Sequence, residues 1–345
     1  MRARHALVLG LAPLVLAACQ VLGGLEAKEL VAASPDGGDA GTADVGAAED
    51  YVPEPAPADC HDVDPKFTSV RFHIPGDGPD GTSYSVDDAA GVVTDKTTGL
   101  MWQRKTGSMP RAEATCDCTK LVLAGYTDWR LPSFVELITI VDYAKNPDAQ
   151  GTGTTSPAIN VAVFPDTEIG AYWTTTSRTG GLEDIYAIDF IDGRVVQFTD
   201  KGLGDSYYRC VRTAVRPPEI GARFTVSGGT ATDAYTGLTW ARTASPTKLT
   251  YAQSAGYCAG LKVDGAGGFR LPTIKELVGL VDKTLTNYPP VDKAAFPSAR
   301  QDALFSSTKY AADPTGQAWK VSLTDGQFFR GIADDATYAM CVRGQ

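Results

Sequence analysis

The chain has 345 residues and a formal net charge of −10, with 41 acidic and 31 basic side chains. The acidity is concentrated near the N-terminus, since residues 20–67 hold eleven acidic residues against two lysines, and the rest of the chain is nearly neutral. A nearly neutral folded part has no basic stripe that could neutralise phosphates, so the composition excludes a nucleic-acid partner.

Residues 1–19 have the pattern of a bacterial lipoprotein signal peptide. A basic start precedes the apolar run 6–16, which is too short to span a bilayer. The segment Leu16-Ala17-Ala18-Cys19 matches a lipobox, with an ordinary cleaved secretory signal as the alternative. We expect lipid on Cys19 to anchor the exported protein in the cell envelope. Gln20, rather than an aspartate, after the cysteine favours the outer membrane.

Residues 20–59 are rich in Ala, Gly, Asp, Pro and Glu and contain few large apolar side chains. Such a composition cannot bury enough apolar surface to offset the entropy of ordering the chain. We therefore expect a disordered acidic tether that holds the folded part away from the membrane.

The remaining chain contains the same pattern of residues twice. An Asp-x-x-Thr-Gly-Leu-x-Trp segment is followed by a cysteine, by Arg-Leu-Pro twelve residues later, and by a closing Cys-Val-Arg. A duplication of this length predicts two tandem domains, residues 60–215 and 220–345, which we call repeat one and repeat two. The matched positions are Asp95 and Asp233, Trp102 and Trp240, Cys118 and Cys258, Arg130 and Arg270, and Cys210 and Cys341.

Each repeat has the same order of predicted elements. A strand precedes a hairpin whose turn runs from the motif aspartate to the motif glycine. A first helix carries the cysteine, and a second helix begins after Arg-Leu-Pro at a Ser/Thr-x-x-Glu capping box. A strand, an Asp-Gly turn and another strand come before the closing cysteine. The strand, the hairpin and the later hairpin lie at residues 84–86, 92–103 and 186–193 in repeat one, and at 224–226, 230–241 and 319–326 in repeat two.

Six cysteines remain once Cys19 is assigned to lipid, and an exported protein favours disulfides. Repeat two contains only two cysteines, which predicts that they pair and that their counterparts in repeat one do likewise. A metal site at Cys116-Asp117-Cys118 is the alternative, but repeat two has no equivalent of Cys116, and we expect no metal. The predicted bridges are Cys60–Cys116, Cys118–Cys210 and Cys258–Cys341.

These motifs resemble the bacterial Lcl C-terminal domain family, a group named after a collagen-like surface adhesin. The resemblance covers about residues 68–213 and 222–344, and repeat two departs from the pattern at Gly268-Phe269, where repeat one has Asp128-Trp129. The element order, with a cysteine of the first helix tied to the last strand, is also similar to the C-type lectin-like fold. The resemblance implies an α+β protein with two tandem C-type-lectin-like domains, each with two helices and antiparallel strands tied by a disulfide.

Six motif residues are expected to serve the fold. The two glutamates fit the capping boxes, which explains them without a role as general acids. The two arginines are expected to hold a salt bridge or backbone carbonyls, with anion binding as the alternative. With the two tryptophans, the set is Trp102, Arg130, Glu136, Trp240, Arg270 and Glu276.

We expect no enzyme activity and no cofactor. The Arg-Leu-Pro start also resembles formylglycine-generating enzymes, but these need an accessible cysteine pair for copper, and a disulfide removes the thiolates. His61 and His73 have no counterpart in repeat two. The Glu-Pro-Asn and Gln-Pro-Asp triplets with which C-type lectins bind calcium and sugar are absent, and the nearest segment, Asn146-Pro147-Asp148, fits a helix stop.

Aromatic residues beside the loop-bearing strands are the remaining candidates for a ligand surface, because aromatic faces contact sugars and peptides. The alternative is a strand-rich core, which is favoured for Trp173 and Trp319. The leading function is a lipid-anchored, non-catalytic binding or adhesion module for a glycan or protein. A structural envelope component with one fixed protein partner and a formylglycine-type oxidoreductase are the alternatives. The expected ligand surface comprises Trp173, Tyr186, Phe198, Tyr207, Trp319 and Phe329.

Overall fold

The computed structural model describes residues 60, 78, 83–145, 156–177, 184–199, 204–213, 222–282 and 289–344. All of these residues lie in one compact unit, Tyr51–Gln345. The predictions for the signal peptide, for lipid on Cys19 and for the tether fall outside the described residues.

The described part of each repeat is built from short strands and two helices. Repeat one contains β1 (Tyr84–Asp87), β2 (Val92–Asp95), β3 (Leu100–Gln103), β4 (Gly107–Met109), α1 (Arg111–Lys120), α2 (Phe134–Leu137) with a 3-10 turn (Ile138–Ile140), β5 (Ala171–Ser177), β6 (Asp184–Asp189), β7 (Arg194–Thr199), β8 (Ser206–Tyr208) and β9 (Val211–Thr213). Repeat two contains β10 (Phe224–Ser227), β11 (Thr230–Asp233), β12 (Thr239–Ala241), α3 (Tyr251–Gly260), α4 (Ile274–Leu280), β13 (Ala303–Lys309), β14 (Gln317–Ser322), β15 (Phe328–Ile332) and β16 (Val342–Arg343).

The strands of each repeat divide into two sheets. The first sheet has the order β1-β2-β3-β9 in repeat one and the matching order β10-β11-β12-β16 in repeat two. The second sheet has five strands in repeat one, β4-β8-β5-β6-β7, and three in repeat two, β13-β14-β15. All pairings are antiparallel except that of β5 with β8. The duplication seen in the sequence is therefore also a duplication of sheet topology.

The expected α+β architecture of two C-type-lectin-like domains is wrong. The chain forms small, mostly antiparallel sheets arranged as a four-bladed β-propeller, with few helices. The helices are short, since α2 has four residues and even α1 and α3 have only ten. The predicted elements occur in the expected order, but β4, β5, β8 and β13 were not predicted. The same order of strands and helices is also compatible with more than one grouping of strands into sheets.

The first hairpin of each repeat closes around its motif aspartate and glycine. The carbonyl of Asp95 accepts from the Gly99 amide at 2.8 Å, and the Asp233 carbonyl accepts from the Gly237 amide at the same distance. Gly99 and Gly237 have φ angles of 68° and 71°, a region in which a side chain would be strained. The turn therefore requires glycine at this position in both repeats.

One hydrophobic core runs through both repeats. The ring of Phe134 in α2 lies 5.7 Å from Tyr186 of its own repeat and 5.6 Å from Phe328 of repeat two. Tyr143 of repeat one likewise lies 5.1 Å from Trp319 of repeat two. A smaller apolar cluster surrounds the repeat-spanning disulfide in each repeat. The two repeats are thus joined through their interiors.

Three disulfides join the cysteines that the structure describes, and they are the predicted pairs. In each repeat one bridge ties the first helix to the residue before the last strand, so it fastens the two ends of the module. The third bridge ties Cys60 to α1 and has no counterpart in repeat two. The bridges are Cys60–Cys116, Cys118–Cys210 and Cys258–Cys341.

Candidate functional site

The Arg-Leu-Pro motif forms an ion pair combined with a helix cap. Arg130 donates to both carboxylate oxygens of Glu136, at 2.8 Å and 2.6 Å. The same carboxylate accepts from the Ser133 amide at 2.8 Å, and the Ser133 hydroxyl accepts from the Glu136 amide, which completes the capping box. The backbone of Arg130 pairs with Val211 of the last strand. The cluster is buried, so it positions α2 rather than facing a ligand.

Repeat two builds the same cluster with Arg270, Glu276 and Thr273. Both Arg270 bonds to Glu276 measure 2.8 Å, and Thr273 supplies the cap. Burial lowers the pKa of Arg130, but the charge of the Glu136 carboxylate and its hydrogen bond together raise that pKa by more. The pKa of Arg130 therefore lies above its ordinary value. The hydrogen bond to Glu276 likewise raises the pKa of Arg270. The sequence-based assignment of these residues to salt bridges and caps is confirmed.

The two motif tryptophans lie at equivalent core positions. Trp102 pairs across the first sheet with Val211, and Trp240 pairs with Val342. Neither side chain is more than 1% exposed. Their indole nitrogens have no hydrogen-bond partner within the part of the chain that the structure describes. Both residues therefore serve packing, as the sequence predicts.

Three of the six aromatics expected on a ligand surface lie in the core. Trp173, Tyr186 and Trp319 are at most 2% exposed. Their assignment to a ligand surface is wrong because they point inward, where burial of a large aromatic surface stabilises a fold made of small sheets. All three belong to the strand-rich core, which the sequence analysis favoured for Trp173 and Trp319.

The other three aromatics keep some exposure. Phe198 and Tyr207 are half-buried, and Phe198 packs edge-on against Trp173 with ring centroids 5.2 Å apart. Tyr207 packs against Tyr172 at 5.4 Å. Phe329 is 42% exposed and is the most exposed member of the set.

The repeats meet where two edge strands adjoin, β7 of repeat one and β15 of repeat two. Asp192, in the turn before β7, lies with Oδ2 3.4 Å from Arg330 Nε of β15 and with Oδ1 4.0 Å from Arg194 Nε. The Tyr186 hydroxyl donates across the same boundary to the Asp325 carbonyl at 3.1 Å. Charged side chains from both repeats therefore converge at this boundary.

A group of exposed and partly buried side chains lies at this boundary. The guanidinium of Arg330 lies over the Tyr310 ring, 4.5 Å from its centroid. Ile332 follows two residues later, on the same side of the strand, and is 59% exposed. Arg194 contributes from β7, with 43% of its side chain exposed. We call Arg194, Tyr310, Arg330 and Ile332 the junction surface.

Asp192 lies buried beneath the junction surface, with a side chain that is 4% exposed. Burial raises the pKa of its carboxyl above the ordinary value, because the low-dielectric surroundings disfavour the charged form, while Arg194 and Arg330 act in the opposite direction. The sequence indicated Asp192 only as a turn residue. Its partner Arg330 belongs to the other repeat, and no local pattern marks that pairing.

The described residues also limit what chemistry can be assigned. They contain no group of three or more His, Cys, Asp or Glu side chains that could hold a metal ion. Every cysteine among them is disulfide-bonded. His61, His73 and Asn146-Pro147-Asp148 lie outside the described residues. No helix in the described part of the chain is both long and apolar enough to cross a membrane.

Comparison with known proteins identifies the two modules. A family model described as the Lcl C-terminal domain matches residues 91–212 and 229–343, one segment in each repeat. No curated protein matches the chain. The two matched segments cover more than half of the sequence and include both Arg-Leu-Pro clusters, whereas the outer strands β1 and β10 of the first sheets lie before them. The chain therefore belongs to the Lcl C-terminal domain family and carries two tandem copies of that domain.

Proposed function

We propose that the protein is a lipid-anchored component of the bacterial cell envelope that binds a glycan or a protein through its junction surface, without catalysing a reaction. The observation that supports this function most directly is the stacking of Arg330 on Tyr310 beside the exposed Ile332. Arginine and tyrosine are enriched where proteins recognise partners, because they combine directional hydrogen bonds with flat apolar contact.

The position of the junction surface also supports a binding role. Ligand sites occur preferentially at boundaries between domains. Arg194 comes from repeat one, whereas Tyr310, Arg330 and Ile332 come from repeat two. In this proposal the complete surface exists only when both repeats are folded together.

The experiment is a glycan-array screen and a pull-down with the full chain and with the variant Arg330→Gln. Glutamine stands at the equivalent position of repeat one, Gln197, so the fold of this module accepts it. Losing a charge-assisted contact at the surface should weaken binding at least about tenfold. Lys293→Ala is the matched control, because Lys293 is an exposed cation away from the junction surface and should leave binding unchanged.

Two results would count against this function. If Arg330→Gln binds as strongly as the unaltered protein, the junction surface is not the binding site. Capture of one fixed protein partner, with no glycan bound, would favour the structural envelope alternative.

The anchor is tested separately. Cys19→Ser should abolish labelling by radioactive palmitate and move the protein from the membrane fraction to the soluble fraction of the cell, because stable attachment needs the acyl chains. Unlabelled native protein in the soluble fraction would contradict the lipid anchor without touching the proposed binding surface.

A further inference from the structure

A surface cavity of about 350 Å³ lies in repeat one, away from the junction surface. Its wall is formed by residues 88–91, which connect β1 to β2, and by Gln103, Lys105 and Leu123. The volume is near the lower end of the range for small-molecule sites. The cavity combines an apolar side, made of alanines and Leu123, with polar side chains at its rim.

Repeat two lacks this cavity's main features at the equivalent place. Its connection between β10 and β11 has two residues, 228–229, where repeat one has four. Gly91 and Gly229 correspond, since their carbonyls accept from Arg104 and Arg242 amides at the same distance of 3.0 Å. In repeat two the Asp264 carboxylate accepts from the Gly229 amide at 2.7 Å and occupies this space.

Alanine stands in repeat one where repeat two has this aspartate. Ala124 and Asp264 occupy the same turn, and both have positive φ angles, of 52° and 51°. Because the alanine side chain ends at Cβ, it cannot reach the amide of Gly91. The space that Asp264 fills in repeat two is therefore left to solvent in repeat one.

Two hydrogen-bond donors at the cavity are also specific to repeat one. The Gln103 side-chain oxygen accepts from the Cys210 amide at 3.3 Å, which leaves the amide nitrogen to donate elsewhere. Lys105 is exposed and forms no ion pair with any residue that the structure describes. Repeat two has Ala241 and Thr243 at these positions.

The charges of the cavity favour an anionic ligand. Asp88 also lies at the rim, but its carboxylate pairs with Arg104. Lys105 is then the uncompensated charge, and Gln103 adds a second donor. A carboxylate accepts hydrogen bonds only, and bonds from an ammonium group to it are among the stronger ones in water.

We propose that this cavity of repeat one binds a small carboxylate-bearing molecule. Lys105 and Gln103 donate to its carboxylate, and the alanines of the loop and Leu123 contact its carbon skeleton. The site is separate from the junction surface and goes beyond the proposed function. A sugar acid and a simple hydroxy acid share the recognised group, so the probes must distinguish them.

The test is saturation-transfer NMR on the full chain with D-glucuronate, its neutral counterpart D-glucose, and L-lactate. Glucuronate should receive saturation and glucose should not. Lactate that binds as well would identify a site for organic acids in general, and lactate that does not bind would identify a site for sugar acids. No transfer to either acid, or equal transfer to glucose and glucuronate, would overturn the proposal.

Variants copied from repeat two locate the site. Ala124→Asp should abolish transfer, because the new carboxylate can accept from the Gly91 amide, and aspartate tolerates this backbone conformation. Lys105→Thr should raise the Kd for glucuronate at least about tenfold. Asp264→Ala and Lys293→Ala are controls that should bind like the unaltered protein. If Ala124→Asp does not fold, Lys105→Thr decides, and unchanged affinity in it overturns the proposal.

Discussion

Glu136 and Asp192 are both buried, but their surroundings compensate the two carboxylates to different degrees. Glu136 faces a guanidinium at 2.6 Å and 2.8 Å and also accepts from the backbone of the cap. Asp192 lies 3.4 Å from its nearer cationic partner. Burial of a charge is favourable only when such partners are close and well aligned. The first carboxylate should therefore stabilise the native state and the second should cost stability.

Glu136→Gln should destabilise the protein by about 3–5 kcal/mol, because it leaves the guanidinium of Arg130 buried without a counter-charge. Glu276→Gln should cost only about 1 kcal/mol, since the Arg270 side chain is 38% exposed and water can solvate its guanidinium group. Urea unfolding of the two variants measures both losses. Equal losses would show that burial of the arginine does not govern the strength of the pair.

Asp192→Asn should change how stability depends on pH. Burial raises the pKa of Asp192 in the folded protein above its ordinary value of 3.8, so the folded state holds this proton more tightly than the unfolded chain does. The contribution of Asp192 to stability is therefore fully present below that ordinary value and is lost as pH rises through the raised pKa. The variant has no carboxyl group at position 192, so this loss of stability with rising pH is absent from it.

The measurement is the free energy of unfolding of both proteins at about pH 4 and at about pH 7. The native protein should exceed the variant by more at the lower pH than at the higher one. A difference between the proteins that grows with pH would mean that the arginines, rather than burial, dominate the titration of Asp192.

At the level of elements, the disulfides that close each module are the clearest source of stability. Cys118–Cys210 spans 92 residues and Cys258–Cys341 spans 83. Replacing either pair by serines should cost about 4–5 kcal/mol in the chain-entropy account, with nearly equal losses because the loops are of similar length. Chemical denaturation of the two double variants measures this. A much smaller loss in one repeat would show that its bridge restricts the unfolded chain less than the length of its loop predicts.

The elements themselves were largely predictable, because their signals are local. The capping boxes at Ser133 and Thr273 lie within four consecutive residues, and the turn of the first hairpin needs only its aspartate and glycine. The duplication then gave the cysteine pairs. The candidate site was not predictable, since Asp192 and Arg330 come from different repeats and neither forms part of a shared motif. A core position was favoured for Trp173 and Trp319, but the inward direction of Tyr186 depends on which sheets face each other.

At the scale of the whole molecule, the shared core makes the two repeats depend on each other. Phe328 of repeat two touches Phe134 of repeat one, and the ammonium group of Lys275, on buried helix α4, donates to the Thr139 carbonyl across the boundary at 3.1 Å. Sequence comparison identifies the repeats as two separate modules. Their motifs do not predict that the two modules share one hydrophobic core. The prediction of a lectin-like fold was wrong for a related reason. The grouping of strands into sheets is decided by contacts between segments that are distant in the sequence.

Phe328→Ala should lower stability by about 3–5 kcal/mol and should do so in both repeats. Hydrogen exchange should accelerate at the amides that pair β3 with β9 in repeat one, although the substitution lies in repeat two. Phe329→Ala is the matched control, since the neighbouring ring is 42% exposed and its loss should change stability by no more than about 0.5 kcal/mol. Faster exchange confined to repeat two would show that the repeats unfold independently.

The bridge from Cys60 to Cys116 has a mechanical consequence. Only Asp117 separates Cys116 from Cys118, whose own bridge leads to Cys210 directly before β9. A pulling force applied to the chain before residue 60 would be transmitted through these two disulfides to the end of the first module. The polypeptide inside the two loops, residues 61–115 and 119–209, would be shielded from the pull. The weakest point under tension would therefore have to lie elsewhere.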